Sequence, residues 1–198
     1  MSTAKVLRSI AKIIDAYERK LATVAEEEFT LTPPTGGWSY SEVYAHIFDS
    51  SLLSIQAVQK CLTGEGKIEK TSFGAKAILF FGMLPPGKRY KVPKRLAERV
   101  KKIDFATAEK FMDDFGFQLA KVSNELKKAN PAIKIEHPRL GFLNARQWVR
   151  FIEIHLDHEF VLRLNVRLLG VFFDRHDAGF CRFRRFVIAT ERSGFFHT

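Results

Sequence analysis

The sequence predicts an all-α protein: a four-helix bundle with a long crossover connection and an atypical C-terminal tail. Three observations predict it. Apolar residues recur at three- and four-residue steps through four long segments, the spacing of one helix face. Capping residues, prolines and glycines fall between those segments. No run alternates apolar and polar residues for long enough to mark a set of strands, so the helical faces are left to bury against one another.

Composition sets the outer limits. A chain of 198 residues, 46% of them hydrophobic, is long enough for one domain with a sizeable core and short for two. The bundle is read over residues 1–168, followed by a Phe/Arg-rich tail over 169–198. Ordinary levels of glycine, proline and charge argue against a disordered or fibrous chain. The net charge of +10 permits nucleic acid, a membrane surface or anionic small molecules as partners and selects none of them. The opening MSTAKVLRSIAKII has the pattern of an amphipathic helix rather than a signal peptide, and no apolar run reaches the roughly 18 residues needed to span a bilayer. The expected location is the cytoplasm. Cys61 and Cys181 have neither metal-pair spacing nor the density of a disulfide framework, and Cys61 reads as a small buried hydrophobe.

The first helix, residues 4 to about 28, repeats Val6, Ile10, Ile13, Tyr17, Leu21 and Val24. Thr32-Pro33-Pro34-Thr35-Gly36-Gly37 breaks it, because proline disfavours helix in the residue before it and glycine adds backbone freedom. Ser39 restarts the chain as an N-cap, with Glu42 three residues on completing a capping box. This second helix runs to about residue 62, with an inward stripe of Val43, His46 or Ile47, Ser50, Leu53, Ala57 and Cys61. Residues 64–71 form a polar connection, and 73–84 a short apolar helix stopped by Pro85-Pro86-Gly87.

The run from Lys88 to Lys102 then sets eight basic residues around the single acid Glu98. It reads as a solvated crossover leading into the next helix. It lacks the aromatic interleaving of a single-strand binding surface, and no helix-turn-helix or zinc finger accompanies it, so nucleic acid is not expected as a partner. The third long helix carries Ala108, Phe111, Met112, Phe115, Leu119, Val122 and Leu126, capped by Asp104 or Thr107 and stopped at Asn130-Pro131. His137, just ahead of a proline, reads as exposed or as a local hydrogen-bond donor. Asn144 caps the last helix.

That last helix carries the chemistry. Trp148, Phe151, Ile152, His155, Glu159 and Leu162 share one apolar face, so two metal-ligating side chains stand one turn apart on the side that meets the core. Burying an unpartnered polar group costs roughly 2–7 kcal/mol, and a metal ion is one partner that removes the cost. His46 on the second helix is placed on an inward stripe as well. Facing helices converge their side chains on a bundle core, so His46, His155 and Glu159 make a three-ligand set that leaves positions open for water or substrate.

GGWSYSEVYAHI resembles the second-helix signature of the DinB/YfiT-like superfamily. TSFGAKAILFFGMLPPGKRYKVP is similar to a loop of one bacterial subgroup, and HPRLGFLNARQWVRFIEIHLDH to the approach and last helix of that subgroup. With the first helix included, the resemblance covers roughly residues 1–160. It implies a four-helix bundle, often a homodimer, with a divalent metal such as zinc or nickel held by three histidines. One comes from the second helix and two, four residues apart, from the last.

By that match His46 is the first ligand and His155 the second, while the third position holds Glu159 in place of histidine. A carboxylate can substitute for imidazole around such an ion. Glu159 is preferred to His158, which is one position short and about 100° away around the helix. The resemblance implies a thiol S-transferase or hydrolase acting on a small-molecule substrate. A low-molecular-weight thiol would be co-substrate, and the metal a Lewis acid toward thiol or water. No catalytic residue beyond the ligands is assigned. The basic run Lys88 to Lys102 is a candidate for drawing an acidic thiol or substrate to the mouth. The alternative is a metal-free, non-catalytic binding or stress-response protein that has lost the site at Glu159.

Beyond Glu159 the sequence changes character. Residues 161–169 extend the last helix in this reading, and the tail from Gly170 is dense in phenylalanine and arginine. It packs on the bundle end or on a dimer partner, lies on a membrane surface, or departs from the ancestral reading frame after about His158. His176, Cys181 and His197 are incidental in each case.

Overall fold

The computed structural model describes residues 2–34, 36–84 and 99–165. The tail, with His176, Cys181 and His197, and most of the basic run after Lys88 lie outside the described residues. The helices are α1 (Thr3–Leu21), α2 (Glu26–Phe29), α3 (Tyr40–Thr63), α4 (Phe73–Phe81), α5 (Phe105–Glu125) and α6 (Ala145–Glu159), the last continuing into a π-helical turn, Phe160–Asn165. The long helices α1, α3, α5 and α6 form the bundle.

The caps fall where side-chain chemistry places them. Ser39 and Glu42 form the reciprocal capping box, Asp104 accepts from the Thr107 amide at 2.7 Å, and Asn144 pairs with Gln147 in a second box. The first helix is shorter than its periodicity suggests. It ends at Leu21, and a separate turn, α2, carries Phe29 into the core.

The central helix is α3, which packs on both α5 and α6. A single inward stripe is therefore too narrow a description of it. Tyr44, His46, Ile47, Phe48, Ile55 and Val58 are all buried, whereas Ser50 and Leu53 are half-buried. Surrounded by other helices, α3 has little solvent face left for polar residues. Two of its buried serines bond to backbone carbonyls, one within the helix and one across to the segment before α5. Ser54 donates to the Ser50 carbonyl at 2.9 Å, and Ser41 to the Ile103 carbonyl at 2.6 Å.

A small three-stranded antiparallel sheet accompanies the bundle, in the order β1 (Lys67–Ile68), β2 (Ile133–His137), β3 (Gly141–Asn144). In the sequence these residues read as connections, because none of these three strands exceeds five residues and alternation that short does not stand out. His137 pairs with Gly141 across the hairpin. It is half-buried, and its Nδ1 accepts from the amides of Arg139 and Leu140, both at 3.1 Å. His137 is thus a hydrogen-bond acceptor that shapes the turn, not an exposed donor.

Cys61 is buried beside the Leu143 carbonyl, and burial pushes its thiol above the ordinary range. A packing role fits it. Two basic residues in the described part of the run have side-chain partners: Arg99 grips both oxygens of Asp49, at 2.6 and 2.7 Å, and Lys102 donates to Thr32 at 3.1 Å.

On α4 three phenylalanines face solvent beside Lys76. Phe73, Phe80 and Phe81 are 87%, 82% and 69% exposed, while Ala75 on the opposite side is buried. Replacing Phe80 and Phe81 together by serine is expected to change the unfolding free energy by no more than about 0.5 kcal/mol and to raise solubility. Urea denaturation checks it, and a loss above about 2 kcal/mol would mean that both rings are packed after all.

Candidate metal centre

Three side chains far apart in sequence meet between α3 and α6. His46 lies on the second turn of α3, and His155 and Glu159 one turn apart at the end of α6. One donor atom from each of the three lies within 4.8 Å of the others. His158 is not part of this group. One position from Glu159 on the same helix, it is half-buried instead of facing the two histidines.

Tertiary contacts hold the site in register. The Tyr17 hydroxyl donates to the Leu156 carbonyl at 2.9 Å, and Tyr44 donates to the Tyr17 carbonyl at 2.7 Å. These two bonds tie α1 to α6 and α3 to α1 at the level of the histidines. Phe160, the residue after Glu159, closes edge-on against Tyr17 at 4.9 Å. A flat aromatic floor comes from Phe151, stacked on His155 at 5.7 Å with 18° between the planes. Leu162, assigned to the same face by simple periodicity, is 53% exposed, and Leu164 is buried in its place. The π-helical turn changes the phase of the helix beyond Phe160, so the apolar row does not continue in step.

Two residues complete the surroundings. Trp38, just ahead of the Ser39 cap, packs its ring 5.0 Å from His46, and the Arg163 guanidinium lies 4.3 Å from the Trp38 ring centroid. Arg163 Nε donates to Glu159 Oε2. The second carboxylate oxygen, Oε1, stands 3.9 Å from His155 Nε2, outside hydrogen-bonding range.

Electrostatics follow from this burial. Both histidines are held below their ordinary range by loss of solvent, His155 at about 4. They are neutral at neutral pH, the state in which imidazole donates a lone pair to a metal. Burial alone would raise the Glu159 carboxyl, but the guanidinium of Arg163 and the neighbouring His155 outweigh it and keep Glu159 below the usual carboxylate value.

The residues present fit a divalent ion. Two neutral imidazoles and one ionised carboxylate are a donor set suited to zinc-type metals, with fewer ligands than a closed structural site. His46 Nδ1 is buried without a hydrogen-bond partner, one of two such buried side-chain atoms among the described residues. An orphaned buried nitrogen is costly, and a ligand held by His46 beside two further donors is one way to offset that cost.

Of the expected site residues, His46, His155 and Glu159 are brought together, and His158 is left to one side. Sequence reasoning missed Trp38, Arg163 and the Tyr17–Tyr44 pair. Arg163 had a local signal, standing four residues after Glu159 where opposite charges meet on a helix. Trp38 and the tyrosines had none, since their contacts span different elements.

No family model and no curated protein matches this chain. Two solved structures resemble it. YfiT from Bacillus subtilis, described as a probable metal-dependent hydrolase with an unusual four-helix bundle topology, superposes with a TM-score of 0.55 at 13% identity, over 85% of this chain and 90% of that one. The mycothiol-dependent maleylpyruvate isomerase superposes with a TM-score of 0.52, also at 13% identity, over 83% of this chain and 62% of the isomerase. At such identities the likeness is one of fold, and the fold is the DinB/YfiT-like four-helix bundle.

Proposed function

We propose that the protein is a divalent-metal-dependent enzyme acting on a small molecule, with His46, His155 and Glu159 as its metal ligands. The observation that carries this is the convergence of the three donors within 4.8 Å. Zinc or nickel suits the mixed nitrogen and oxygen set. The ion would supply Lewis-acid chemistry, favouring the deprotonated form of a thiol or a water molecule bound to it. The chain's own residues do the rest. The helix pair α3 and α6 fixes the donors, Phe151 and Trp38 exclude water from the imidazole faces, and Glu159 brings one negative charge to the set.

Within this reading the activity is thiol S-transfer or hydrolysis, with a low-molecular-weight thiol as co-substrate in the first case. The thiol-dependent isomerase of similar fold supports a thiol, and the probable hydrolase of similar fold supports water. A bacterial cytoplasmic homodimer, with a bundle over 1–168 and a distinct tail over 169–198, belongs to the same proposal.

A second reading has its own observation. Glu159 already has a cation, Arg163, so a metal-free, non-catalytic bundle is a self-consistent protein. Metal content by mass spectrometry, on untagged protein, separates the two. About one zinc- or nickel-type ion per chain is expected, lost in both His46→Ala and His155→Ala. A parent protein that takes up no ion even when incubated with zinc and nickel would establish the metal-free reading instead.

A further inference from the structure

We infer that Arg163 is a built-in counter-cation that sets the metal affinity of the site by competing for Glu159, an inference that rests on the metal reading above. Glu159 is 8% exposed, and a carboxylate so placed needs a positive partner. Arg163 is that partner, through Nε to Oε2. The arginine is itself held from behind. Its guanidinium lies 4.3 Å from the ring centroid of Trp38, and Trp38 lies 5.0 Å from His46. Trp38, His46, His155, Glu159 and Arg163 thus form a closed circuit, in which the cation is anchored by a residue that also covers a ligand.

The circuit leaves the donor set half-satisfied. His46 Nδ1 has no partner, and Glu159 Oε1 is 3.9 Å from His155 Nε2, too far for a hydrogen bond. Arg163 therefore neutralises the charge of Glu159 through Oε2, while Oε1 makes no hydrogen bond to His155. A divalent ion bound there shares one carboxylate with a guanidinium that the Trp38 ring and a four-residue tether keep close. Two cations on one buried carboxylate oppose each other, because like charges repel strongly where water screens them poorly. The opposition is reciprocal: what Arg163 does to the metal, the metal does to the Arg163–Glu159 pair.

The opposite role is that of an ordinary outer partner which orients its ligand. Loss of such a partner weakens metal binding, typically by about 10–100-fold. The sign of the effect thus decides the role. A neutral side chain at 163 can still donate a hydrogen bond to Glu159 while removing the charge, and lysine keeps the charge while losing the guanidinium plane.

The test is zinc affinity of the full chain, stripped with chelator and titrated in competition with a chromophoric chelator, for the parent, Arg163→Gln and Arg163→Lys. The expected result is binding at least about tenfold tighter in Arg163→Gln, within about threefold of the parent in Arg163→Lys. The thermal midpoint of metal-free Arg163→Gln should also fall, because Glu159 loses its cation. Zinc binding to the parent that weakens or stays level in Arg163→Gln would overturn this inference and leave the metal site standing. Zinc binding by neither, with His46→Ala indistinguishable from the parent, would overturn the metal site and this inference with it.

Discussion

Replacing Phe48 with alanine is expected to lower the unfolding free energy by about 3–5 kcal/mol, the cost of emptying a fully buried aromatic position. The ring is fully buried and meets residues from two other helices: Tyr17 of α1 edge-on at 5.3 Å and Phe115 of α5 at 6.0 Å. It also stacks along Tyr44 of its own helix at 6.1 Å. Tyr17 and Tyr44 carry the hydrogen bonds that fix α1, α3 and α6 at the level of the histidines, so the cavity would loosen the site together with the core. Urea denaturation of the metal-free protein measures the loss. A value under about 1 kcal/mol would show that the helices close over the gap and that the aromatic cluster is not the keystone of the packing.

Acid should destabilise the metal-free protein over a defined window. Burial holds the His155 ring at about 4, against an ordinary value of 6.5, and His137 is held at about 4 for the same reason. Between those values the unfolded chain binds protons that the folded one does not. The stability is therefore fully present above about pH 6.5 and is lost as pH falls through 4. For His155 alone the difference amounts to roughly 3 kcal/mol, His137 adds to it with the same sign, and His46 is lowered in the same direction. Chemical denaturation at several pH values between 4 and 7 would record the slope. His155→Gln cannot titrate and should lose a matching part of it; an unchanged slope in that variant would assign the acid sensitivity elsewhere.

Much of this molecule was legible along the chain because helices advertise themselves locally. Three of the four long helices carry their start signals in side chains within four residues, at Ser39, Asp104 and Asn144, and each cap forms as the spacing requires. The pairing of His155 with Glu159 was equally local, since residues four apart share a face whatever the rest of the fold does. The placement of His46 opposite them followed from its position on the inward side of a helix that had to bury that side.

What remained hidden depends on contacts between elements. The burial of α3 on nearly every side cannot be read from its own periodicity, because neighbours on two flanks remove the solvent face. The hairpin Ile133–Asn144 was too short to be seen as strands, and the exposure of Leu162 reflects a change of helical phase at Phe160.

By itself, then, the sequence determined the helices, their caps and the identity of three donors with compatible chemistry, because each rests on interactions within one turn or one helix face. Only the tertiary structure decided that the donors lie within 4.8 Å of one another and that Glu159 rather than His158 joins them. It also decided that Arg163 and Trp38 close the cluster. Those facts turn on how α3, α6 and the loop before α3 are docked, and docking is set by complementary surfaces that no single segment contains.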